Sequence, residues 1–547
     1  MSTMWLFSVL AGFFMLNVLT TALPGNQECD NHCYPGASCW PGIDEELELF
    51  KNIKGDVLTA YNEEYRREVL MVNTRVTEFP FLVVMAETVD DVIYAVKYAN
   101  RHNMKITIRS SGHDYIGRST WHGSLQINLS RMKGLNFNLN STRHQEGEVT
   151  AQSGNSWLRL YNETNKLGRV IVGGSAHTVS MGGYTLGGGH SPIGRKFGMA
   201  VDNLLEVEMV TSNGSLVYAN ISGTVLVDTE TGTTHTTTDT DIFWAVRGGG
   251  GSTYGIVTAF TYKLHNDSKM VKVTCYSPIY NALGQDVGRP IIQAFDNLAS
   301  TTLAPEWGGY EIITSSGDPK AGTEGTVLLV LNHFGEWGSP SFNTLGPFIP
   351  IAEKHCAFQN MSNFLEYEIE SKDALFYRTY VYNTLLQPNS FTPEYYNFMY
   401  RMFNEPNVAR LQAGVGCTGT LIGGNMKIKD PDSTAVNPNF RTGVYSMSCG
   451  MSWSDAFMDK AVVDQAIQFT KGFVKHGNGT YFNEPSAYLP NWKTAYWGGH
   501  YDRLLAIKQR WDPQNVFTCL HCVGSNDTKG HTADPHIPDI HIPSIVG

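Results

Sequence analysis

Two stretches of this chain bring reactive and anion-binding groups together. In RSSGHDYIGRST (109–120) one histidine, His113, follows a glycine at the end of the apolar alternating run Ile106-Thr107-Ile108. In VGGSAHTVSMGGYTLGGGHSPIGRKFG (172–198), seven of the 17 residues from 173 to 189 are glycine. Glycine inside a helix or strand costs roughly 0.5–1 kcal/mol, so this density predicts neither element. It predicts backbone wrapped closely round a ligand. N–H groups in glycine-permitted turns form anion-binding nests, and a diphosphate-bearing cofactor is the guest they suit. A second cluster, at 248–251, follows FWAVR and precedes STYGIVTAF, which suggests one ligand bed built from several segments. Taken singly, each feature has a plainer reading. A glycine loop can be just a tight turn, and a lone histidine is more often hydrogen-bonded structure than a cofactor site.

Several common sites are excluded. No G-x-G-x-x-G follows a strand and no G-x-x-x-x-G-K-[ST] occurs. GGGHSPIG (187–194) would need glycine at Ile193 to form a nucleophile elbow, and the S-x-x-K at Ser130 to Lys133 lacks its companion motifs. No metal site is expected: His531, His536 and His541 recur in a tail that reads as solvated, and the C-x-x-C of Cys519 and Cys522 reads as structural. The net charge of −11 disfavours nucleic acid and anionic membranes as partners.

The C-terminal string NEPSAYLPNWKTAYWGGHYDRLLAIKQRWDPQNVF (483–517), taken with GHDYIGRST and GGYTLGGGHSP, resembles the vanillyl-alcohol-oxidase (VAO) superfamily. More narrowly, the chain is similar to the secreted berberine-bridge-enzyme-like FAD-linked oxidoreductases. CYPGASCWP (33–41) and Asn483-Glu484 look like the branch found among fungal secreted oxidases. The resemblance implies an α+β fold: a two-subdomain PCMH-type FAD-binding domain plus a substrate domain whose sheet is covered by helices. It implies FAD, linked covalently through His113. The cofactor-binding residues it implies are Ser110, Ser111, Gly112, Gly173, Gly174, Ser175, Thr178, Val179, Gly182, Gly183, Tyr184, Gly187, Gly188, Gly189, His190, Asp202, Gly255, Ile256 and Asn483. Many relatives carry a second link from a cysteine where Ala176 stands here, so one covalent bond is expected. Relatives often draw their base from a Y-x-N-Y string. Here Tyr481-Phe482-Asn483-Glu484 places a glutamate at its last position. Glu484 serves as base if burial raises its pKa, or else it orients the flavin or faces solvent. Tyr481 and Tyr501 are further candidates.

The function implied is a secreted oxidase that moves hydride from an alcohol to flavin and then to oxygen, giving hydrogen peroxide. Carbohydrates, small alcohols and specialised metabolites are all open as donors. An oxidative cyclase or dehydrogenase, or an extracellular flavin-binding protein of little catalytic power, stands as an alternative. Partners are then a small-molecule substrate and oxygen, with oligomeric state left open.

The elements that must position these groups follow from periodicity. Residues 1–22 read as a secretory signal peptide, with an apolar run from Met4 to Val18. Nine N-x-[ST] sequons, at Asn128, Asn140, Asn162, Asn213, Asn220, Asn266, Asn360, Asn478 and Asn526, fit an exported glycoprotein. Nine cysteines fit an oxidising compartment, and the odd number leaves at least one free or bonded outside the chain. Residues 23–75 form a lead-in. Residues 76–268 open with a β-α-β rhythm and form the FAD domain. Residues 269–475 alternate strands and helices as the substrate domain. Residues 476–524 return to the FAD domain, and 525–547 read as a disordered tail.

Overall fold

In this computed structural model the residues described are 32–315, 325–371, 373, 375–403, 411, 413–489 and 491–525. The signal segment, Cys29, Asn526 and the histidine tail lie outside them.

The first layer is a four-stranded sheet of β1 (Asp56–Leu58), β2 (Leu82–Met85), β3 (Ile106–Arg109) and β4 (Leu125–Asn128), in the order β1-β2-β4-β3. β2 and β3 both run parallel to β4. All four residues of β2 are buried, as a strand covered on both faces requires. The helix Val89–Arg101 makes the crossover. Thr88 caps it by accepting from Asp91 N at 3.2 Å, and Val92, Ala95, Val96 and Ala99 form its buried face.

The second layer is antiparallel. β5 (Leu135–Asn138) and β6 (Glu148–Gln152) form one hairpin. A short β7 (Arg169–Val170) precedes the glycine-rich segment. β8 (Leu204–Val210), β9 (Leu216–Asn220), β10 (Gly223–Val227), β11 (Thr234–Thr237) and β12 (Ile256–Lys263) complete the order β11-β10-β9-β8-β12-β6-β5. β8 and β9 turn at Gly214, whose φ is +83°, as Asn213-Gly214 predicts. β7 pairs with β13 (His265–Asn266).

The third layer holds β14 (Met270–Pro278), β15 (Trp307–Thr314), β16 (Thr326–Phe334), β17 (Cys356–Met361), β18 (Arg378–Leu386), β19 (Gly414–Leu421) and β20 (Tyr445–Trp453). Their order is β17-β14-β16-β15-β19-β20-β18, all antiparallel. The helices Gly288–Thr301, Pro393–Phe403 and Asp459–Phe473 pack Phe295, Tyr395, Phe398 and Phe473 against one face. Because strand residues alternate, Tyr382, Met447 and Cys449 join that core while Asn383, Ser446 and Ser448 point the other way.

Disulfides join Cys33–Cys39, Cys275–Cys356, Cys417–Cys449 and Cys519–Cys522. Two of them link residues directly opposite on neighbouring strands. Among the described residues no helix is long and apolar enough to cross a membrane. Of the sequon asparagines, Asn140, Asn213, Asn266, Asn360 and Asn478 are exposed. Asn128 is not available for a glycan: it is fully buried in β4, where its side chain accepts from Ser130 N.

Candidate active site

The loop after β3 carries His113 over a buried arginine. Arg109 donates to the Glu68 and Leu70 carbonyls, and Gly112 turns above its guanidinium with a φ of +77°. A side chain on Gly112 would meet that group at 2.7 Å. Arg118 closes the loop against the C-terminal segment, lying over the Phe482 ring at 3.8 Å and donating to the Phe482 carbonyl at 2.7 Å.

His113 faces the glycine-rich segment. Its Nε2 lies 2.8 Å from Thr178 Oγ1, and the Thr178 hydroxyl donates to Asp373. Asp373 also accepts the Thr178 and His177 backbone N–H groups, at 2.6 and 2.8 Å. With its only hydrogen given to Asp373, the Thr178 oxygen accepts from His113 Nε2–H. That leaves Nδ1 as the ring's lone pair. Burial holds the imidazole pKa down to about 4, Asp373 pulling the other way, so the ring is neutral at physiological pH.

The glycine-rich segment contains an element its composition does not predict, the helix Met181–Leu186, with Gly182 and Gly183 in its first turn. Most of these glycines make room for protein. A Cβ on Gly173 would overlap Trp157, one on Gly174 would meet Tyr184 at 2.9 Å, and one on Gly187 would overlap Asn483. On Gly182 it would meet Ser110 Oγ, on Gly188 Val436 at 2.8 Å, and on Gly189 Ala200 and Tyr184. Gly183 alone in the run is exposed with nothing within 4 Å of a Cβ. Ser111 Oγ accepts from Ser180 N at 3.0 Å, and Val179 O accepts from Trp157 N. Two polar atoms bordering the segment, Ser180 Oγ and His190 Nδ1, are buried without a hydrogen-bond partner.

Tyr481 and Glu484 join this bed to the third sheet. The Tyr481 hydroxyl accepts from Gly189 N at 3.0 Å and from Asn483 Nδ2 at 2.8 Å, and Asn483 also donates to Tyr184 O. Burial raises the Tyr481 phenol above its ordinary range, so it stays protonated. Glu484 Oε2 accepts from Asn383 Nδ2 at 2.9 Å and from the Ser448 hydroxyl. Its Oε1 faces only His190 Nε2, at 3.2 Å. Tyr501 stands apart from this group: its ring packs on Trp492 and Trp497, and its hydroxyl accepts from Gly524 N.

Three other expected cofactor residues are engaged within the protein. Asp202 receives a bidentate bond from Arg441, at 2.7 and 2.8 Å, with both side chains at most 3% exposed. Gly255 packs under Val210 and Met209, and Ile256 is buried at the start of β12.

Sequence reading missed Asp373, Asn383, Ser448 and Glu368. Glu368 is buried, donates no visible motif, and accepts from Ser175 Oγ at 2.8 Å, while its second oxygen has no partner. Burial pushes its pKa up to about 8, so it is an acid at neutral pH. Tyr310 shares the Ser175 hydroxyl at 2.7 Å. These partners lie 101 to 195 residues from the motifs they serve, or on strands that carry no signature.

Residues 80–220 match the family model described as FAD binding domain, and 480–523 match the one described as berberine and berberine like. An uncharacterized FAD-linked oxidoreductase of Arthroderma benhamiae is 30% identical over 82% of this chain and 78% of its own. A VAO-type flavoprotein oxidase of Thermothelomyces thermophilus is 27% identical over 87% and 82%. The crystal structure of a VAO-type flavoprotein from Myceliophthora thermophila superposes with a TM-score of 0.74 at 22% identity, over 90% of this chain and 97% of that one. The family models take in the first glycine-rich segment and the C-terminal string, and the chain belongs to the VAO-type, berberine-bridge-enzyme-like FAD-linked oxidoreductases.

Proposed function

We propose that the protein is a secreted oxidase that takes hydride from an alcohol, with FAD held covalently by His113 and Glu484 as the base. One observation carries this reading. Glu484 is fixed by Asn383 and Ser448 through one oxygen, and its other oxygen borders the glycine-rich bed that His113 faces. A flavin fits the residues present. The unpartnered Ser180 hydroxyl and His190 Nδ1 are buried polar atoms that each cost about 1–3 kcal/mol until satisfied, and the open first turn at Gly183 gives a polar guest room. When bound, flavin supplies the hydride acceptor and the route to oxygen.

The chain's own residues do the rest. His113 offers Nδ1 for the link, because Nε2 is engaged by the Thr178 hydroxyl, itself held by Asp373. Ala176 has no thiol for a second link. Asn483 and Tyr481 tie the C-terminal segment to the Gly187–Gly189 turn, which fixes Glu484 in place. Glu484 Oε1 accepts the hydroxyl proton as hydride leaves the same carbon. The 27% identity to a named flavoprotein oxidase supports oxygen as acceptor, and the four disulfides support export.

The test is acid denaturation of the secreted protein beside His113→Ala, followed by visible spectra of pellet and supernatant. Yellow colour kept by the wild-type pellet and released by the variant is expected, with peroxide formed on a panel of sugars and small alcohols. Flavin released equally from both would refute the His113 link. A folded, flavin-loaded enzyme giving a ring-closed product without a carbonyl would refute alcohol oxidation.

A further inference from the structure

We infer that His144, Glu146 and His265 form a binding site for one zinc-class divalent cation, at the seam where the FAD-binding layers pass into the third sheet. His144 and Glu146 sit on the turn between β5 and β6, and His265 begins β13. One ligand atom from each lies within 4.8 Å of the others.

The neighbouring hydrogen bonds fix which atoms are free. Asn203 Nδ2 donates to the Phe197 and Met199 carbonyls, at 3.0 and 2.9 Å, so the atom it turns to His265 is its oxygen. His265 Nε2, 2.7 Å from that oxygen, must therefore donate. Its Nδ1 is the atom left to face Glu146, 3.3 Å from Oε2. His144 Nε2 lies 3.6 Å from the same oxygen, buried and with no hydrogen bond. Three ligand atoms of the kinds that bind divalent cations thus converge on one point, His144 Nε2 with no other partner to hold it.

The dimensions suit zinc. Bonds of about 2.0–2.1 Å in a tetrahedron place neighbouring ligand atoms roughly 3.3–3.4 Å apart. Two imidazole nitrogens and one carboxylate oxygen are a borderline donor set, better matched to zinc than to calcium or magnesium. Both flanking ligands have outer partners of the kind that orient metal ligands: Asn203 on His265, and Asn266 Nδ2 on Glu146 Oε1 at 2.7 Å. His265 is buried and stacked on Phe197 at 4.2 Å, while His144 and Glu146 are half-buried, so the fourth position opens to solvent. Lys263, on the preceding strand, gives its ammonium to the Asp202 carbonyl. A cation here would clip the β5–β6 hairpin to the strand that leads into β14.

The test is isothermal titration of zinc chloride into chelator-treated, flavin-loaded, full-length protein. The tail histidines His531, His536 and His541 are replaced by alanine so that they do not compete. One saturable equivalent is expected, with a rise in Tm on zinc addition. His144→Ala and Glu146→Gln, placed in the same background, should each weaken binding about tenfold or more while flavin absorbance and turnover stay unchanged. The inference is overturned by no saturable binding, which would leave His265 and Glu146 as a plain ion pair. It is equally overturned by one equivalent that both variants retain.

Discussion

Glu484 is held through one oxygen by two uncharged partners. Neither Asn383 nor Ser448 carries a charge, and both bind the same oxygen, while the second oxygen, proposed to take the substrate proton, meets His190 Nε2 at 3.2 Å. Glu484→Gln keeps the shape and removes that capacity. Turnover should fall by about 10²–10⁴-fold while the protein keeps its flavin spectrum, as stopped-flow reduction by substrate would show. Unchanged flavin reduction in that variant would move the base elsewhere. Glu368 is a buried carboxyl that keeps its proton. Its pKa is about 8 in the fold and near 4.5 in the unfolded chain, so the folded state holds the extra proton between those values. Its contribution to stability is therefore fully present below about pH 4.5 and is lost as pH rises through about 8, at up to about 1.4 kcal/mol per pH unit. Glu368→Gln should flatten the fall in Tm over that window in scanning calorimetry. Parallel curves for variant and wild type would mean that Glu368 ionises without cost.

Glycine within the helix Met181–Leu186 and its flanks shows where element-level reading succeeds and where it stops. The density of glycine was legible, but its physical cause was not. At Gly187 a side chain would overlap the Asn483 carboxamide, which holds Tyr184 O and the Tyr481 hydroxyl, whereas at Gly183 it would meet open space. Gly187→Ala should therefore cost about 1–3 kcal/mol in denaturant unfolding, and Gly183→Ala should cost nothing or stabilise the helix by up to about 1 kcal/mol. Equal losses at both positions would show that the helix, not the packing, sets the requirement. The β-α-β rhythm read at the start of the FAD domain is β2, the helix Val89–Arg101 and β3, and the Asn213-Gly214 turn joins β8 to β9. Sheet order was not legible, since β15 pairs with β19 across roughly a hundred residues and no local pattern records that. The site divides the same way. His113, Tyr481, Asn483 and Glu484 announce themselves in strings, but Asp373, Asn383 and Ser448 are ordinary polar residues until the sheet brings them there.

At the scale of the molecule, the site depends on how firmly the third sheet is held to the FAD-binding layers, because His113 belongs to one side and Asn383 and Ser448 to the other. Two of the buried guanidinium groups that cross that join are Arg195 and Arg441. Arg195 donates to the Trp307, Ile422 and Leu303 carbonyls, and burial draws its pKa down to about 10 with no carboxylate beside it. Arg441 instead grips Asp202 with two parallel bonds, fully enclosed. A pair desolvated to this degree adds little net stability over an apolar pair of the same volume, yet removing one partner strands the other charge. Arg441→Met should therefore cost about 3–5 kcal/mol in chemical denaturation and lower kcat together with stability, as the sheet loosens from the glycine-rich bed. Adding Asp202→Asn to Arg441→Met removes the stranded charge, and the double variant should regain part of the lost stability. If the single variant loses less than about 1 kcal/mol, or the second substitution only deepens the loss, the pair is not what fixes the two halves.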